Sequence, residues 1–462
     1  MRSFLFFFIV TVLTFLNSLY AQEIEGKWNG VLTVQKTQLK VVFNVSKTAD
    51  GFTTTMDSPD QGANGIPVTQ TTFENSLVKF EVTNARIEYT GELKGNEIIG
   101  TFKQGGQEFP LNLSKKAVEK VEIAKTQDPK KPYPYHTEEV TFPNSKASIS
   151  LAGTLSLPKQ EGIYPAVILI TGSGPQKRDE DILGHKPFLV ISDYLTRNGF
   201  AVLRFDDRGV GQSTGDFASA NSQDFATDVE SALTYLKTRK EIDKKAIGLI
   251  GHSEGGLIAP MVATQSKDIL FIVLLACPGI SGDQLLLLQQ RALAKAAGFS
   301  ESDMKKTFEL NSKIFEMVVQ SKNEEKLQAD VRQFIDAATT EIPNGVTKEE
   351  YVAMQSNKIL NPWMKYFLKY NPALTLEKVQ CSVLAVNGEN DLQVPAKENL
   401  IAISNALKKG GNKDFITKEF PNMNHLFQES TTGLPSEYAT IEQTFSPIAL
   451  EYITQWMRAK IK

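Results

Sequence analysis

The order of hydrophobic and polar residues divides the chain into two parts. Over residues 22–114, short apolar stretches such as 39–43 and 78–82 alternate with turn signals such as Gly95-Asn96. Short strands separated by turn residues are typical of a small antiparallel β-barrel or sandwich. We therefore predict an all-β domain in the first part of the chain.

Residues 115–137 have the composition of an exposed linker, because Lys and Glu are followed there by three prolines. From residue 138 onward, short apolar runs alternate with helix-like stretches, which is typical of an open parallel sheet with helices on both faces. The runs that predict its strands are 166–170, 201–205, 246–250, 271–275 and 383–386. We therefore predict the α/β fold class for residues 138–462.

One long interval of the second part lacks any strand pattern. Between residues 283 and 376, apolar residues recur at three- and four-residue spacing, and Glu and Lys fill the positions between them. The helix-like segments are 284–297, 302–320 and 325–338. An insertion of this kind predicts a helical cap over the sheet.

The first residues have the pattern of a signal peptide. Met1-Arg2 gives a positive start, residues 4–15 are dominated by Phe, Leu, Ile and Val, and Ala21 is a small residue at the expected cleavage point. The alternative is an uncleaved anchor, but the apolar run is short for a bilayer. We therefore expect residues 1–21 to be removed and the protein to be exported, either to the periplasm or outside the cell. No stable membrane insertion is expected after cleavage.

Composition narrows the chemistry that the chain can perform. The formal net charge of -3 gives no basic surface for nucleic acid. The chain has four histidines and two cysteines, and their spacing does not match a metal site. Cys277 and Cys381 lie in apolar, strand-like surroundings and are expected to be buried free thiols. We expect neither a metal nor a cofactor, so side chains must carry the reaction.

The strongest motif is the G-x-S-x-G pattern centred on Ser253. An apolar strand runs directly into it and an apolar helix pattern follows, which is the context of a nucleophile elbow. The chain contains a second match, centred on Ser213, but that one follows a polar turn and leads into polar residues. Context therefore favours Ser253 as a nucleophile.

A serine nucleophile needs a base, and the chain has few histidines. His136 lies in the linker, His185 in a polar loop, and His252 beside the serine, where its side chain should point away from the hydroxyl. His425 follows a late strand pattern over residues 414–420, at the end where a base could reach the elbow. We predict His425 as the base, with an ordinary surface histidine as the alternative.

The third member should be a carboxylate between the serine and the histidine in the chain. Asp391 follows the strand 383–386 through a glycine-containing turn and precedes apolar residues. Glu389 is the rival, and we favour Asp391. The oxyanion should be held by the amide of Glu254 and by a second amide, of Ser173 or Gly174, between which the sequence does not decide.

With these residues in place, the chain resembles the α/β-hydrolase superfamily, and within it bacterial carboxylesterases grouped with serine aminopeptidase-like hydrolases. The resemblance covers about residues 138–462 and rests on His425 and on the segments 172–175, 207–213, 251–256 and 387–391. It implies that 207–213 is a structural turn beneath the site, which also argues against Ser213. It further implies that the cap, including Trp363, forms a wall of the acyl pocket. The first domain resembles one that precedes such hydrolases in some exported bacterial proteins, and its partner is unknown.

These features predict a serine hydrolase that cleaves small-molecule carboxylic esters through an acyl-enzyme. A peptidase acting on short peptides would use the same triad and stays open. A binding protein on a hydrolase scaffold is a further alternative, although all the triad positions are filled. A nucleotide-dependent oxidoreductase is disfavoured, because the glycines at 209, 211 and 215 miss the G-x-G-x-x-G spacing.

Overall fold

The computed structural model describes residues 24–461 except for 35–36, 50, 60–62, 105–106, 118–124, 341 and 343–346. The expected signal peptide lies outside the described residues. Free thiols occupy both cysteine positions, with Cys277 buried and Cys381 half-buried. Among the described residues, no helix has both the length and the apolar character needed to cross a membrane.

The first part of the chain forms an antiparallel sheet that curls into a half-barrel. Its strands are β1 (Gly26–Val34), β2 (Thr37–Thr48), β3 (Gly51–Ser58), β4 (Ala63–Pro67), β5 (Gln70–Glu74), β6 (Leu77–Val82), β7 (Ile87–Lys94), β8 (Glu97–Gln104), β9 (Gln107–Pro110) and β10 (Leu113–Ser114). They pair in the order β4-β3-β2-β1-β10-β8-β7-β6-β5, with β9 on β8. Side chains alternate between the two faces, and the inner face buries a stack of Phe43, Phe80 and Tyr89.

The second part of the chain is an eight-stranded sheet covered by helices. Its strands are β11 (His136–Asn144), β12 (Ile149–Leu157), β13 (Tyr164–Ile170), β14 (Ala201–Phe205), β15 (Ile242–His252), β16 (Ile269–Leu275), β17 (Ser382–Gly388) and β18 (Phe415–Phe420). Their order is β11-β12-β14-β13-β15-β16-β17-β18, with β11 and β12 antiparallel and the six others parallel to one another. The predicted α/β fold, preceded by an antiparallel β-domain, is confirmed.

Helices cover both faces of this sheet, as its near-continuous apolar strands require. The helices are α1 (Pro187–Arg197), α2 (Ser222–Thr238), α3 (Glu254–Gln265), α4 (Gly282–Ala296), α5 (Glu301–Gln320), α6 (Glu324–Ala338), α7 (Lys348–Leu360), α8 (Pro362–Lys369), α9 (Ala373–Leu376), α10 (Ala396–Lys409), α11 (Pro435–Tyr438) and α12 (Pro447–Lys460). One apolar cluster joins the sheet to α2, α3 and α10, and a second joins its other face to α1 and α12.

The helices α4 to α9 lie between β16 and β17 and form the cap. Three of them, α4, α5 and α6, follow the helical segments that the sequence predicts. The others, α7 to α9, are additional to those segments. The cap has an apolar core of its own, which includes Val318, Val331 and Leu368.

Leu39 and Arg86 of the β-domain contact the second part of the chain. Leu39 on β2 packs against an apolar cluster that includes Leu183, Leu426 and Tyr438. The guanidinium of Arg86 lies 4.6 Å from the ring centre of Phe299, between α4 and α5. The first contact reaches the loop that carries His425, and the second reaches the cap.

Candidate active site

The loops that carry the predicted site residues converge at one edge of the sheet. The strands β13, β15, β17 and β18 are parallel, so their carboxyl ends lie at the same edge. Ser253 follows β15, Asp391 follows β17 and His425 follows β18, while the glycine-rich segment 171–175 follows β13. The topology therefore brings together residues that are far apart in the sequence.

Ser253 occupies a strained turn between β15 and α3. Its φ is 52° and its ψ is -115°, a conformation that side-chain-bearing residues rarely adopt. A methyl group at Gly251 would lie 2.0 Å from the carbonyl oxygen of Gly255, and one at Gly255 would lie 2.1 Å from that of Ile170. Only glycine fits at both positions, so the turn holds the half-exposed Ser253 clear of the strand.

The imidazole of His425 forms a short hydrogen bond with a buried carboxylate. Its Nδ1 lies 2.8 Å from Oδ2 of Asp391, whose Oδ1 accepts from the amides of Gln393 and Val394. Both side chains are almost fully buried. A carboxylate at Nδ1 favours the tautomer protonated there, which leaves Nε2 free to accept a proton.

The rival residues make different contacts. Glu389 accepts a hydrogen bond from the amide of Asn422, 3.0 Å away, in an exposed contact. Ser213 is buried, and its hydroxyl donates to the carbonyl of Asp206 and accepts from the amide of Ala152. The Ser213 hydroxyl is therefore occupied within the turn that borders β12.

The His425 loop is held by a residue that the sequence analysis did not identify. The side-chain oxygen of Asn424 accepts from the amides of Leu426 and Gln428, each 3.0 Å away. In addition, a methyl group at Gly388 would lie 2.1 Å from the carbonyl oxygen of Met423. The loops after β17 and β18 thus pack backbone against backbone, which fixes the separation of Asp391 and His425.

The segment after β13 passes directly over the serine. A methyl group at Gly172 would lie 3.3 Å from Cβ of Ser253. The carboxylate of Asp207 holds both ends of this segment, because it accepts from the hydroxyl of Thr171 at 2.7 Å and from the amide of Gln176 at 2.8 Å. Burial raises the pKa of Asp207 to about 8. Ser173 and Gly174 lie between these fixed ends.

Glu254 links the elbow to the cap. It is the first residue of α3, where a backbone amide has no partner within its own helix. Its buried carboxylate accepts from the hydroxyl of Ser222 at 2.5 Å and from the indole N–H of Trp363 at 2.7 Å. Burial raises the pKa of Glu254. Trp363 therefore lies beside the residue that follows Ser253.

Two other histidines, His252 and His185, have structural partners. His252 lies beneath the site, between Glu180 and the carbonyl oxygen of His425. His185 is buried rather than exposed in a polar loop, and it binds the hydroxyl of Thr444 and the carbonyl of Tyr438. Within the described part of the chain, no cluster of three or more His, Cys, Asp or Glu residues could hold a metal ion.

Comparison with known proteins shows which families and proteins this chain resembles. Residues 188–348 match the Hydrolase_4 family, described as serine aminopeptidase, S33. Esterase EstD of Thermotoga maritima is 25% identical over 334 residues, which cover 70% of this chain and 69% of EstD. An uncharacterized 31.7 kDa protein of Escherichia coli is 25% identical over 319 residues, 68% of this chain and 97% of that protein.

Solved structures of similar proteins include esterase Pf2001 of Pyrococcus furiosus. It aligns with 74% of this chain and 97% of its own at 15% identity and a TM-score of 0.43. A likeness this distant adds nothing to the assignment. The sheet order, the elbow and the family match already define the class, and the chain is an α/β-hydrolase. Within that class, residues 188–348 are similar to the Hydrolase_4 family.

Proposed function

We propose that this hydrolase cleaves carboxylic ester bonds of small molecules through an acyl-enzyme intermediate. The observation that carries the proposal is the buried Asp391–His425 pair beside the strained elbow of Ser253. The ring centres of His252 and His425 are 4.8 Å apart, so His425 lies next to the residue that precedes Ser253. The similarity to an esterase supports an ester as the substrate.

The reaction has two halves. Ser253 attacks the ester carbonyl while Nε2 of His425 takes the hydroxyl proton, and Asp391 stabilises the imidazolium that forms. The histidine returns the proton to the leaving alcohol. A water molecule, activated by the same histidine, then releases the acid and restores the serine.

The negative oxygen of each tetrahedral intermediate needs amide donors that are already in place. The amide of Glu254 is one donor, because it is the first of α3. The second belongs to Ser173 or Gly174, whose segment is anchored at both ends by Asp207. Trp363 contributes to the wall of the acyl pocket, since its indole binds the carboxylate of Glu254.

The decisive experiment compares the wild type with Ser253→Ala on p-nitrophenyl esters of increasing acyl length. We expect hydrolysis with a preferred length in the wild type and its loss in the variant. Ser213→Ala is the matched control, because it alters the serine of the second motif and should keep esterase activity. Activity that survives in Ser253→Ala would contradict the proposal.

A peptidase is the competing function, since the matched family is described as serine aminopeptidase. Aminoacyl p-nitroanilides, assayed beside the esters, separate the two. Faster turnover of the anilides would assign a peptidase to the same triad. A folded protein that turns over neither substrate would favour the binding-protein alternative.

We also propose that residues 1–21 are a signal peptide and that the mature enzyme works outside the cytoplasm. Expression of the whole chain in a bacterial host, followed by mass measurement of the product, tests this. A mature protein that begins at Gln22 in the periplasm or medium is expected. An intact start in the cytoplasm would contradict the proposal.

A further inference from the structure

The ring of His252 lies between the carboxylate of Glu180 and the carbonyl oxygen of His425. When Glu180 is ionised, both groups are hydrogen-bond acceptors and neither can donate. Its Nδ1 is 2.9 Å from Oε1 of Glu180, and its Nε2 is 3.0 Å from the carbonyl oxygen of His425. A neutral imidazole has one N–H and therefore satisfies one such neighbour, whereas an imidazolium satisfies both.

Glu180 is itself held as an acceptor. The same Oε1 accepts the amide N–H of Gly172 at 2.8 Å, and the side chain is 1% exposed. A cavity of only about 10 Å³ borders Glu180 and His252, which is room for one water molecule at most. At most one water molecule can therefore add a hydrogen bond to the two side chains, and their opposite charges offset each other's burial.

From this geometry we propose that His252 is a positioning residue, kept as an imidazolium by Glu180, which fixes the main chain of His425. The proposal rests on the esterase function proposed above. Asp391 holds the ring of His425, and His252 holds its backbone. Two carboxylates thus orient the base, one directly and one through a second histidine.

The pair also connects the three parts of the site. Glu180 binds Gly172 in the segment that passes over the serine, His252 immediately precedes Ser253, and its Nε2 binds the His425 loop. Errors of about 1 Å in such positions cost about a hundredfold in rate. The Glu180–His252 pair therefore sets the distances between oxyanion donors, nucleophile and base.

The ionisable groups around His252 come from three segments. Glu180 lies in the loop after β13, Asp391 in the loop after β17 and His425 in the loop after β18. Burial alone would lower the pKa of His252, but the charge of Glu180 and the bonds to Glu180 and His425 outweigh it, so the pKa is raised. The direction agrees with the two acceptors seen around the ring.

The charge on Glu180 cannot be replaced by a neutral amide. In Glu180→Gln, His252 would be neutral with one N–H, and it could donate either to Gln or to the carbonyl of His425. If the side-chain amide introduced by Glu180→Gln turned its NH₂ group toward His252, the same group would also face the backbone N–H of Gly172, and two donors would oppose each other. One contact must break in each arrangement, so the conservative variant is a test of the ion pair.

The first measurement is ¹⁵N NMR of the whole chain labelled at histidine, which contains only four such residues. We expect both ring nitrogens of His252 to be protonated at pH 7.5, with His252→Gln used to assign the signals. In Glu180→Gln, only one ring nitrogen of His252 should be protonated. A wild-type His252 with one protonated nitrogen would overturn the proposal, whether or not the enzyme is an esterase.

The second measurement is steady-state ester hydrolysis by matched variants. We expect Glu180→Gln to lower kcat about ten- to a hundredfold with little change in KM, whereas Glu389→Gln, a loop carboxylate bound to one amide, stays near wild type. His252→Gln can place an N–H near the position of Nε2 and should retain more kcat than His252→Asn, which reaches only toward Glu180. Equal losses in these two variants, or wild-type kcat in Glu180→Gln, would overturn the positioning role.

Discussion

The indole N–H of Trp363 donates to the carboxylate of Glu254 over 2.7 Å, so a cap helix is bonded to the residue that follows Ser253. Trp363 also stacks on Phe367 one turn later in α8, with ring centres 5.0 Å apart. Besides Trp363, the buried carboxylate of Glu254 is bound by the hydroxyl of Ser222. One side chain thus connects the cap to Glu254, whose amide is the proposed oxyanion donor.

Trp363→Phe should impair catalysis because it removes the N–H that binds Glu254. The phenyl ring keeps the stacking on Phe367 but leaves Glu254 with Ser222 alone, and a buried acceptor that loses a partner costs about 1–3 kcal/mol. We expect kcat/KM for esters to fall about tenfold and the preferred acyl length to change, as measured by initial rates. The control is Trp456→Phe in α12, whose buried indole nitrogen has no partner among the described residues. Equal effects of the two variants would remove the special role of Trp363.

Asp391→Asn should leave the protein folded but nearly inactive. An amide can present its oxygen to Nδ1 of His425, but it supplies no charge to stabilise the imidazolium and it permits the wrong tautomer. By comparison with such changes in serine hydrolases we expect kcat to fall by roughly 10³–10⁴. Glu389→Gln, two residues earlier in the same loop, should change kcat less than threefold or so. A reversal of this order would make Glu389 the acid.

The strained backbone of Ser253 should lower the free energy of unfolding of the protein. At φ 52° and ψ -115° a side chain costs roughly 1–3 kcal/mol, from which glycine is largely exempt. We therefore expect the free energy of unfolding of Ser253→Gly, measured by denaturant titration, to exceed that of Ser253→Ala by about 1 kcal/mol. Both variants should be inactive. Ser213 has no positive φ, so Ser213→Gly should be less stable than Ser213→Ala. If the glycine and alanine variants ranked in the same order of stability at Ser253 and at Ser213, the backbone strain at Ser253 would be contradicted.

His185 predicts a loss of stability in mild acid. Burial, with the nearby charge of Lys125, lowers its pKa from 6.5 to about 4. Between these values the unfolded chain binds a proton that the folded protein does not, so the stability is complete above pH 6.5 and is lost as the pH falls toward 4. The loss amounts to at most about 3 kcal/mol. Urea unfolding between pH 7 and 4 should show a weaker pH dependence in His185→Gln than in the wild type.

The control for that experiment is His136→Gln at the start of β11, which keeps the buried histidine. Its unfolding should follow the wild-type pH dependence. If His185→Gln and the wild type lost stability in parallel, the buried imidazole would not be the acid-sensitive group.

Much of the fold follows from local sequence, because buried parallel strands are short apolar runs that stand out from helices. The run 201–205 coincides with β14, and 271–275 lies within β16. The antiparallel pair β11 and β12 is less visible. β11 begins at His136, two residues before the predicted start of the domain. Its first four residues are half-buried or exposed without alternation, so this end of the strand blends with the proline-containing linker.

Some residues of the candidate site could likewise be predicted from the sequence, and others could not. Ser253, Asp391 and His425 each follow a strand pattern, and parallel strands bring their ends together, so the motif, the strand patterns and the chain order suggest the three. Glu180 and Asn424 are different, because nothing local marks them and their partners lie in other loops. His185 looks polar in sequence and is nonetheless buried, since Thr444 and the carbonyl of Tyr438, more than 250 residues away, satisfy its ring. Such roles depend on tertiary contacts, which a single sequence does not display.

The contact of Leu39 with the cluster around Leu426 couples the unfolding of the β-domain to that of the second part of the chain. Leu426 is the neighbour of His425, so apolar surface of the β-domain is part of the cohesion of the base loop. The apolar contact stabilises both the half-barrel and the loop. We therefore expect the two to unfold together and not as independent units. Unfolding of the β-domain should therefore loosen the loop that carries His425.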